Sequence, residues 1–477
     1  MKMLRFLCVS CLLLGSAGSL PAQEWISLFD GKSLEGWKAS DNPATFKVES
    51  GAIVAQGPRA HLFYVGPANN ARFKNFEFSA EINAGPGANS GIYFHTAFQP
   101  TNWPGAGFEV QVNNSATLHG NYLEMKKTGS LYGIRNVYKQ LIPDNTWFTM
   151  TISVRGKQVQ VRVNDLLVVD YQEPEEAPAK ALSQGTFALQ GHDPESRVSF
   201  RNLRVRTLPD TAVPAAKVVV DNTYREILRL GGANFPLVDF HTHLKGGLTL
   251  EEVLRHTLDT GMGHGVAVNC GLNFSITNDA GIADFLKAMP PSQVFVGMQA
   301  EGREWVKLFS REAIARFDYV FTDAMTITDT QGKRSRLWIK EEVDVPDKQA
   351  FMEKLVSTIE QIIANEPIDI YVNPTFLPDV IAAEYDSLWT EPRKQRVIAA
   401  AARNSVAIEI SSRYRLPKAD FIKAAKKAGV KFTLGTNNGG REILPNDHGL
   451  QMIRDCNLAW QDMWMPRPDG QKKAQAK

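Results

Sequence analysis

The chain is poor in several things, and each shortage closes off a class of protein. Only four cysteines occur in 477 residues, and two of them, Cys8 and Cys11, lie at the amino terminus. Cys270 and Cys456 alone cannot supply a disulfide framework, so stability has to come from large cores. Charge of one sign is lacking too: 53 Lys+Arg stand against 51 Asp+Glu, with no long basic or acidic block. A nucleic-acid backbone would find no electropositive surface here, and no nucleic-acid partner is expected. Beyond the amino terminus no apolar run reaches the length of a bilayer, which argues against an integral membrane span. No short-period internal repeat occurs.

What is present begins with a leader. Lys2 and Arg5 precede the apolar run Phe6 to Leu14, and Gly15 to Ala22 is small and turn-prone. The pattern predicts a Sec-type signal peptide over 1–22, cut near Ala22-Gln23, and a periplasmic or secreted product. Losing Lys2 and Arg5 brings the two signs of charge level.

Two regions of different periodicity follow. From Trp25 to about Leu208 the pattern has period two: Phe76, Phe78, Ala80 and Ile82 alternate with Glu77, Ser79 and Glu81. Phe108, Val110 and Val112 alternate with Glu109 and Gln111, and Asn164-Asp165 joins two further runs as a tight hairpin. Many short strands with Gly, Pro and Asn between them predict an all-β sandwich or jelly roll. Trp37, Trp147 and Phe200 read as core; His61 and His119 read as surface or packing residues. The segment 208–233, rich in Pro and Ala at its start, reads as linker and lead-in.

Beyond it, strands alternate with helices. Strand candidates are Leu237–Phe240, Val266–Asn269, Val294–Met298, Tyr319–Thr322, Ile368–Val372, Val406–Ile410 and Val430–Leu434. Thr249 and Glu252 form a capping box, and Gly261 stops the helix that follows. Helices fill 347–364, 393–403 and 418–428. Seven β units with helical crossovers predict a parallel α/β barrel over 234–466, with chemistry at the carboxyl ends of its strands. Thr326 to Pro346 reads as a polar lid or arm, and 467–477 as a disordered tail.

The motifs Trp25-Ile-Ser-Leu-Phe-Asp-Gly-Lys-Ser-Leu-Glu-Gly-Trp37, Asn89-Ser-Gly-Ile-Tyr-Phe94, Gly107-Phe-Glu-Val-Gln111, Gly129-Ser-Leu-Tyr132, Phe187-Ala-Leu-Gln190 and Phe200-Arg-Asn202 form a series. Together they resemble the 3-keto-disaccharide hydrolase family over 24–207. The resemblance implies a concanavalin-like jelly roll acting on small carbohydrates oxidised to a ketone at C3. Such a ketone acidifies the C2 proton. One base then drives elimination at C1, and water adds back to the unsaturated product. The chemistry requires a base, an acid for the leaving oxygen, and a donor for the enolate oxygen. Strand alternation puts Glu109 and Gln111 on one face, and Tyr93 and His95 on one face of theirs. Glu109 is the candidate base; His95, His192 and Tyr132 are candidate acids or enolate stabilisers. Gln111, Tyr93 and the loop aromatic Trp103 are candidate sugar-binding residues. A module that only binds glycan is the competing reading.

In the second region, Asp239-Phe-His241-Thr-His243 follows a strand. Imidazoles at i and i+2 of an extended segment point the same way and can share a cation. The region resembles the polymerase and histidinol phosphatase (PHP) family, a seven-stranded distorted barrel holding up to three metals. The resemblance implies that His241, His243 and Glu301 are ligands, with Asp323 near a position where the family has His. Asn269-Cys270, Asn373 and Asn437-Asn438-Gly439 stand where further family ligands belong. We therefore expect at most one divalent ion, zinc or manganese, and no organic cofactor. A metal-dependent phosphoesterase or amidohydrolase barrel, or a barrel kept as scaffold, are the alternatives.

Overall fold

The computed structural model describes residues 24–116, 118, 121–176, 180–210, 218–328 and 334–466. The expected leader and tail, and His119, lie outside them. Two sheets form the first region. The larger runs Leu166–Gln172, Gln158–Val163, Phe148–Arg155, Phe76–Ala84, Val198–Thr207, Ala52–Ala55, Phe46–Glu49, with Ile26–Ser27 also paired to Val198–Thr207. The smaller runs Trp37–Ala39, Ala60–Tyr64, Thr186–Gly191, Ser90–Thr96, Phe108–Val112. All pairings are antiparallel. The alternation in the sequence becomes one apolar layer between the sheets. Phe187 of the smaller sheet sits at its centre, with ring centroids 4.6 Å from Phe78 and 4.9 Å from Phe76. Truncating a ring there would cost about 3–5 kcal/mol. Trp37 and Phe200 belong to this core, as expected, but Trp147 does not. It is exposed, with the Arg201 guanidinium 4.0 Å over its ring. An aromatic flanking a strand can shield a cation as well as fill a core.

In the second region seven parallel strands close a barrel: Val238–Thr242, Gly263–Cys270, Phe295–Ala300, Tyr319–Thr322, Ile370–Tyr371, Ala407–Ser411 and Phe432–Gly435. Each corresponds to a strand read from the sequence. The helix Leu250–Thr260 (α2 below) has the capping box, and Gly261 closes it with φ 81°. The helices Lys348–Asn365, Glu391–Asn404 and Ala419–Lys427 also appear. Within the polar arm, Thr326–Thr328 pairs with Arg334–Arg336 as a small hairpin.

The lead-in contains a helix, Asn222–Gly232 (α1), capped by Asp221, whose side chain accepts from Tyr224 N–H. It packs on the sandwich. Arg135 lies over the rings of Tyr171 in the sandwich and Tyr224 in α1, and donates to the Asp259 carbonyl at the end of α2. Asn136 donates to the Gly231 carbonyl, Tyr138 to that of Phe235, and Lys139 to Asp318. At Gly133 (φ 75°) a Cβ would lie 3.4 Å from the Gly232 Cα, so the two backbones meet almost directly. The domains are joined along the segment 122–139 by buried, hydrogen-bonded contacts.

Candidate active site

Residues on the outer face of the smaller sheet form the floor of a cavity of about 920 Å³. That is ample for a ligand of disaccharide size. Cross-strand register explains its floor: Ala188 pairs with Tyr93, and Tyr93 with Glu109, in one row. Gln190 pairs with His61, and Gly91 with Gln111, in the next. Antiparallel neighbours project to the same face, so Tyr93, Glu109, Gln111 and Gln190 meet there.

Glu109 is half-buried at the centre. Tyr93 donates to its Oε2 (2.7 Å) and Gln190 to its Oε1 (2.8 Å). Gly91 makes the room: a Cβ there would run into the Glu109 side chain. Burial pushes the Glu109 carboxyl up to about 7, against the opposing pull of its two donors; the Glu124 charge raises it further and Lys126 lowers it. A carboxyl group tuned to this range suits general-base work near neutrality.

A second acidic cluster faces it. Glu124 Oε2 accepts from the hydroxyls of Tyr122 (2.6 Å) and Tyr132 (3.0 Å). Its Oε1 accepts from Lys126 Nζ (3.2 Å), which also reaches Asn234 of the second domain (3.1 Å). Lys126 lies 4.2 Å over the Tyr132 ring. Tyr132 is tied to the Glu109 strand by its N–H to the Glu109 carbonyl. Burial and the Glu124 charge raise the Tyr132 hydroxyl well above its ordinary range, so it stays a proton donor.

The sugar-binding candidates also gather here. Gln111 donates to Asn89 (2.9 Å), while the buried carbonyl oxygens of both Gln111 and Gln190 have no partner. Two unpartnered buried acceptors beside a carboxyl group are an arrangement that sugar hydroxyls would complete. Trp103 stands at one end, exposed, between the rings of His61 and His192, each 5.4 Å away. His192 lines the cavity and contacts Asp193 (2.7 Å). His61 is wholly buried, with neither ring nitrogen partnered, and burial lowers its pKa to about 4.

His95 does not join them. Its backbone takes φ 53°, next to a register shift between Thr186 and Ala188, and strand alternation fails there. Ser183 N–H donates to its Nδ1 (3.2 Å), which leaves Nε2 to donate to the Lys74 carbonyl (2.9 Å). Both nitrogens are committed to backbone, away from the cavity. The expectation of a catalytic His95 is corrected on that ground. Missed by the sequence reading were Gln190, Gly91, Asn89 and the Glu124–Lys126 cluster. Tyr122-Leu-Glu-Met-Lys126 does carry a period-two polar signal, and Gln190 lies two residues from the groove-facing Ala188.

At the barrel mouth the rings of His241 and His243 lie side by side, 5.1 Å between centroids. His243 donates through Nδ1 to the Ala267 carbonyl (2.9 Å), and His241 Nδ1 meets Glu409 (2.6 Å). Their Nε2 atoms are buried and unpartnered, as ligands would be. The other donors are engaged elsewhere. Glu301 accepts from Asn269 (2.8 Å); Asp323 accepts from Asn373 (3.1 Å) and Met325 N–H. Burial, with the Asp323 charge, pushes Glu301 up to about 8. Among the described residues no three His, Cys, Asp or Glu side chains converge to hold an ion. His241, His243, Glu301 and Asp323 thus stand apart as the side chains lie, with Asn269 and Asn373 hydrogen-bonded to the two carboxylates.

Residues 24–206 match the model of the 3-keto-alpha-glucoside-1,2-lyase-like domain. The chain is similar to a putative glycosyl hydrolase from Parabacteroides distasonis at 23% identity, over 39% of this chain and 94% of that one (TM-score 0.34). It is similar to histidinol phosphate phosphatase from Lactococcus lactis at 14% identity, over 49% of this chain and 98% of that one (TM-score 0.39). A carbohydrate-binding module from Bacillus subtilis matches at 14% identity, over 36% of this chain and 96% of that one (TM-score 0.26). No curated protein matches the sequence.

Proposed function

We propose that the sandwich cleaves 3-keto-glycosides by elimination and hydration. The observation that carries this reading is the Glu109 carboxyl, poised near neutrality on the groove floor beside unpartnered amide acceptors. The 3-keto ring lies over Glu109 with its hydroxyls on Gln111 and Gln190 and a face on Trp103. Glu109 takes the C2 proton, and the electron pair of that bond forms the enolate. Tyr132, held by Glu124, donates a hydrogen bond to the enolate oxygen. The enolate collapses, the C1–O bond breaks, and His192 protonates the departing oxygen. Water then adds at C1 and leaves its second proton on His192, while the Glu109 carboxyl, its proton exchanged with solvent in the groove, protonates C2, so that one water is consumed per bond cleaved. The domain match over 24–206 supports the substrate class. The leader pattern supports export, with a mature amino terminus near Gln23.

The test is incubation of the full chain with a 3-keto-glucoside, with and without chelator, while released keto-sugar is followed. Turnover that survives chelation and is lost in Glu109→Gln supports the reading. No cleavage, or cleavage untouched by Glu109→Gln, refutes it.

A further inference from the structure

The groove has two unlike ends. Around Trp103 it is polar, with His192, Asn89 and the two glutamines, as a hydroxyl-rich ring requires. At the other end α1, in the lead-in to the second domain, supplies the wall. Leu228 of α1 lines this end together with Ile134 and Tyr171 of the sandwich, an apolar bed unsuited to hydroxyls. On its rim stand two cations, Arg225 of α1 and Lys180 of the sandwich, both exposed. Neither side chain has a hydrogen bond or ion pair among the described residues, unlike the adjacent Arg229, which is tied to Glu226. The acidic groups of the groove have partners of their own: Glu124 is balanced by Lys126, and Glu109 accepts from Tyr93 and Gln190. The placement of α1 is firm, fixed by the Arg135 stack on Tyr171 and Tyr224 and by the Gly133–Gly232 approach.

From this we infer that α1 and Lys180 form a leaving-group subsite, selective for 3-keto-glycosides whose aglycone has an apolar body and an anionic substituent. The inference rests on the function proposed above and assigns its substrate class. It also gives the lead-in helix a role that needs no chemistry in the barrel. The apolar bed desolvates an aryl or alkyl body, and the two cations meet a carboxylate or sulfate at the rim. At a partly exposed site such a pairing is modest but additive over two cations.

The probes are two 3-keto-glucosides with the same aromatic aglycone, one bearing a carboxylate and one a hydroxymethyl group at the far position. For the wild-type full chain, kcat/KM for the carboxylated compound should exceed that for the neutral one by about tenfold, mostly through KM. Arg225→Glu should abolish or invert that ratio, and Arg225→Lys should keep it within about threefold. Because the ratio is internal to each variant, a general loss of activity does not mimic the result. A wild-type ratio near one, or a ratio unchanged in Arg225→Glu, overturns the subsite. If neither compound is cleaved, the proposed reaction fails while the subsite is still read by calorimetry. Tighter binding of the carboxylated compound that is lost in Arg225→Glu supports the subsite, and equal binding of the two overturns it.

Discussion

Glu109→Gln separates chemistry from stability in one variant. Glutamine keeps the length of the side chain and can still accept from Tyr93. Its new amide N–H finds an acceptor if the Gln190 amide turns, since the Gln190 carbonyl oxygen has no partner. Loss of general-base catalysis predicts a fall in kcat of about 10²–10⁴. Stability should respond in the opposite sense. The wild-type carboxyl rises from 4.5 when free to about 7 in the fold. Between those values the folded state holds more protons than the unfolded one, so wild-type stability falls as pH rises. The full shift corresponds to about 3 kcal/mol. Solvent in the groove screens a half-buried carboxylate, which reduces the expected effect to about 1–2 kcal/mol. The variant has no such group. Denaturant unfolding of both proteins at pH 5 and pH 8 should therefore show the variant gaining about 1–2 kcal/mol on the wild type between the two. Parallel stabilities at both pH values would mean an ordinary carboxylate and would refute the argument from burial, even if activity were lost.

Other consequences follow from the same geometry. The profile of kcat/KM against pH should rise through a limb near pH 7, because Glu109 acts only when deprotonated, and the limb should move if Glu124 is changed to Gln. Gly91→Ala should lower turnover at least tenfold with the sandwich still folded, as read by circular dichroism, since its Cβ takes the space of the Glu109 carboxyl. His95→Asn should act on stability, with a loss of about 1–3 kcal/mol from two broken buried contacts, and leave turnover of the folded protein within about threefold. Elemental analysis after purification without added metal should find no more than one equivalent of zinc or manganese per chain. Amino-terminal sequencing from the native host should begin near Gln23, and an intact Met1 in a cytosolic fraction would contradict export.

The barrel was the most legible part of the chain. Parallel strands buried on both faces read as apolar runs, and Thr249, Glu252 and Gly261 mark the ends of α2 with side chains whose bonding is local. Glu109 was legible for a related reason: on an alternating strand, a carboxylate between two core residues must face outward. His95 shows where that rule ends. One left-handed residue in the strand turns the side chain to backbone partners, and nothing in Tyr93-Phe-His95 announces it. Glu124 and Lys126 were hidden for another reason. They lie on an irregular segment whose position depends on Asn234, 108 residues beyond Lys126 in sequence. The same holds for α1, a helix within a stretch that composition marks as lead-in. Its place as a groove wall is fixed by Arg135 and by the approach of Gly133 to Gly232. The pair His241 and His243 was correctly placed at a strand end, but the contacts of Asn269 with Glu301 and of Asn373 with Asp323 join different strands, and no local pattern announces them.

The central claim is that Glu109 removes the C2 proton of a 3-keto sugar. Proton NMR of a 3-keto-glucoside with the full chain in deuterium oxide tests it most directly. The account predicts that the released keto-sugar carries deuterium at C2, and that Glu109→Gln suppresses both release and exchange by at least a hundredfold. Cleavage with the C2 proton fully retained would contradict it.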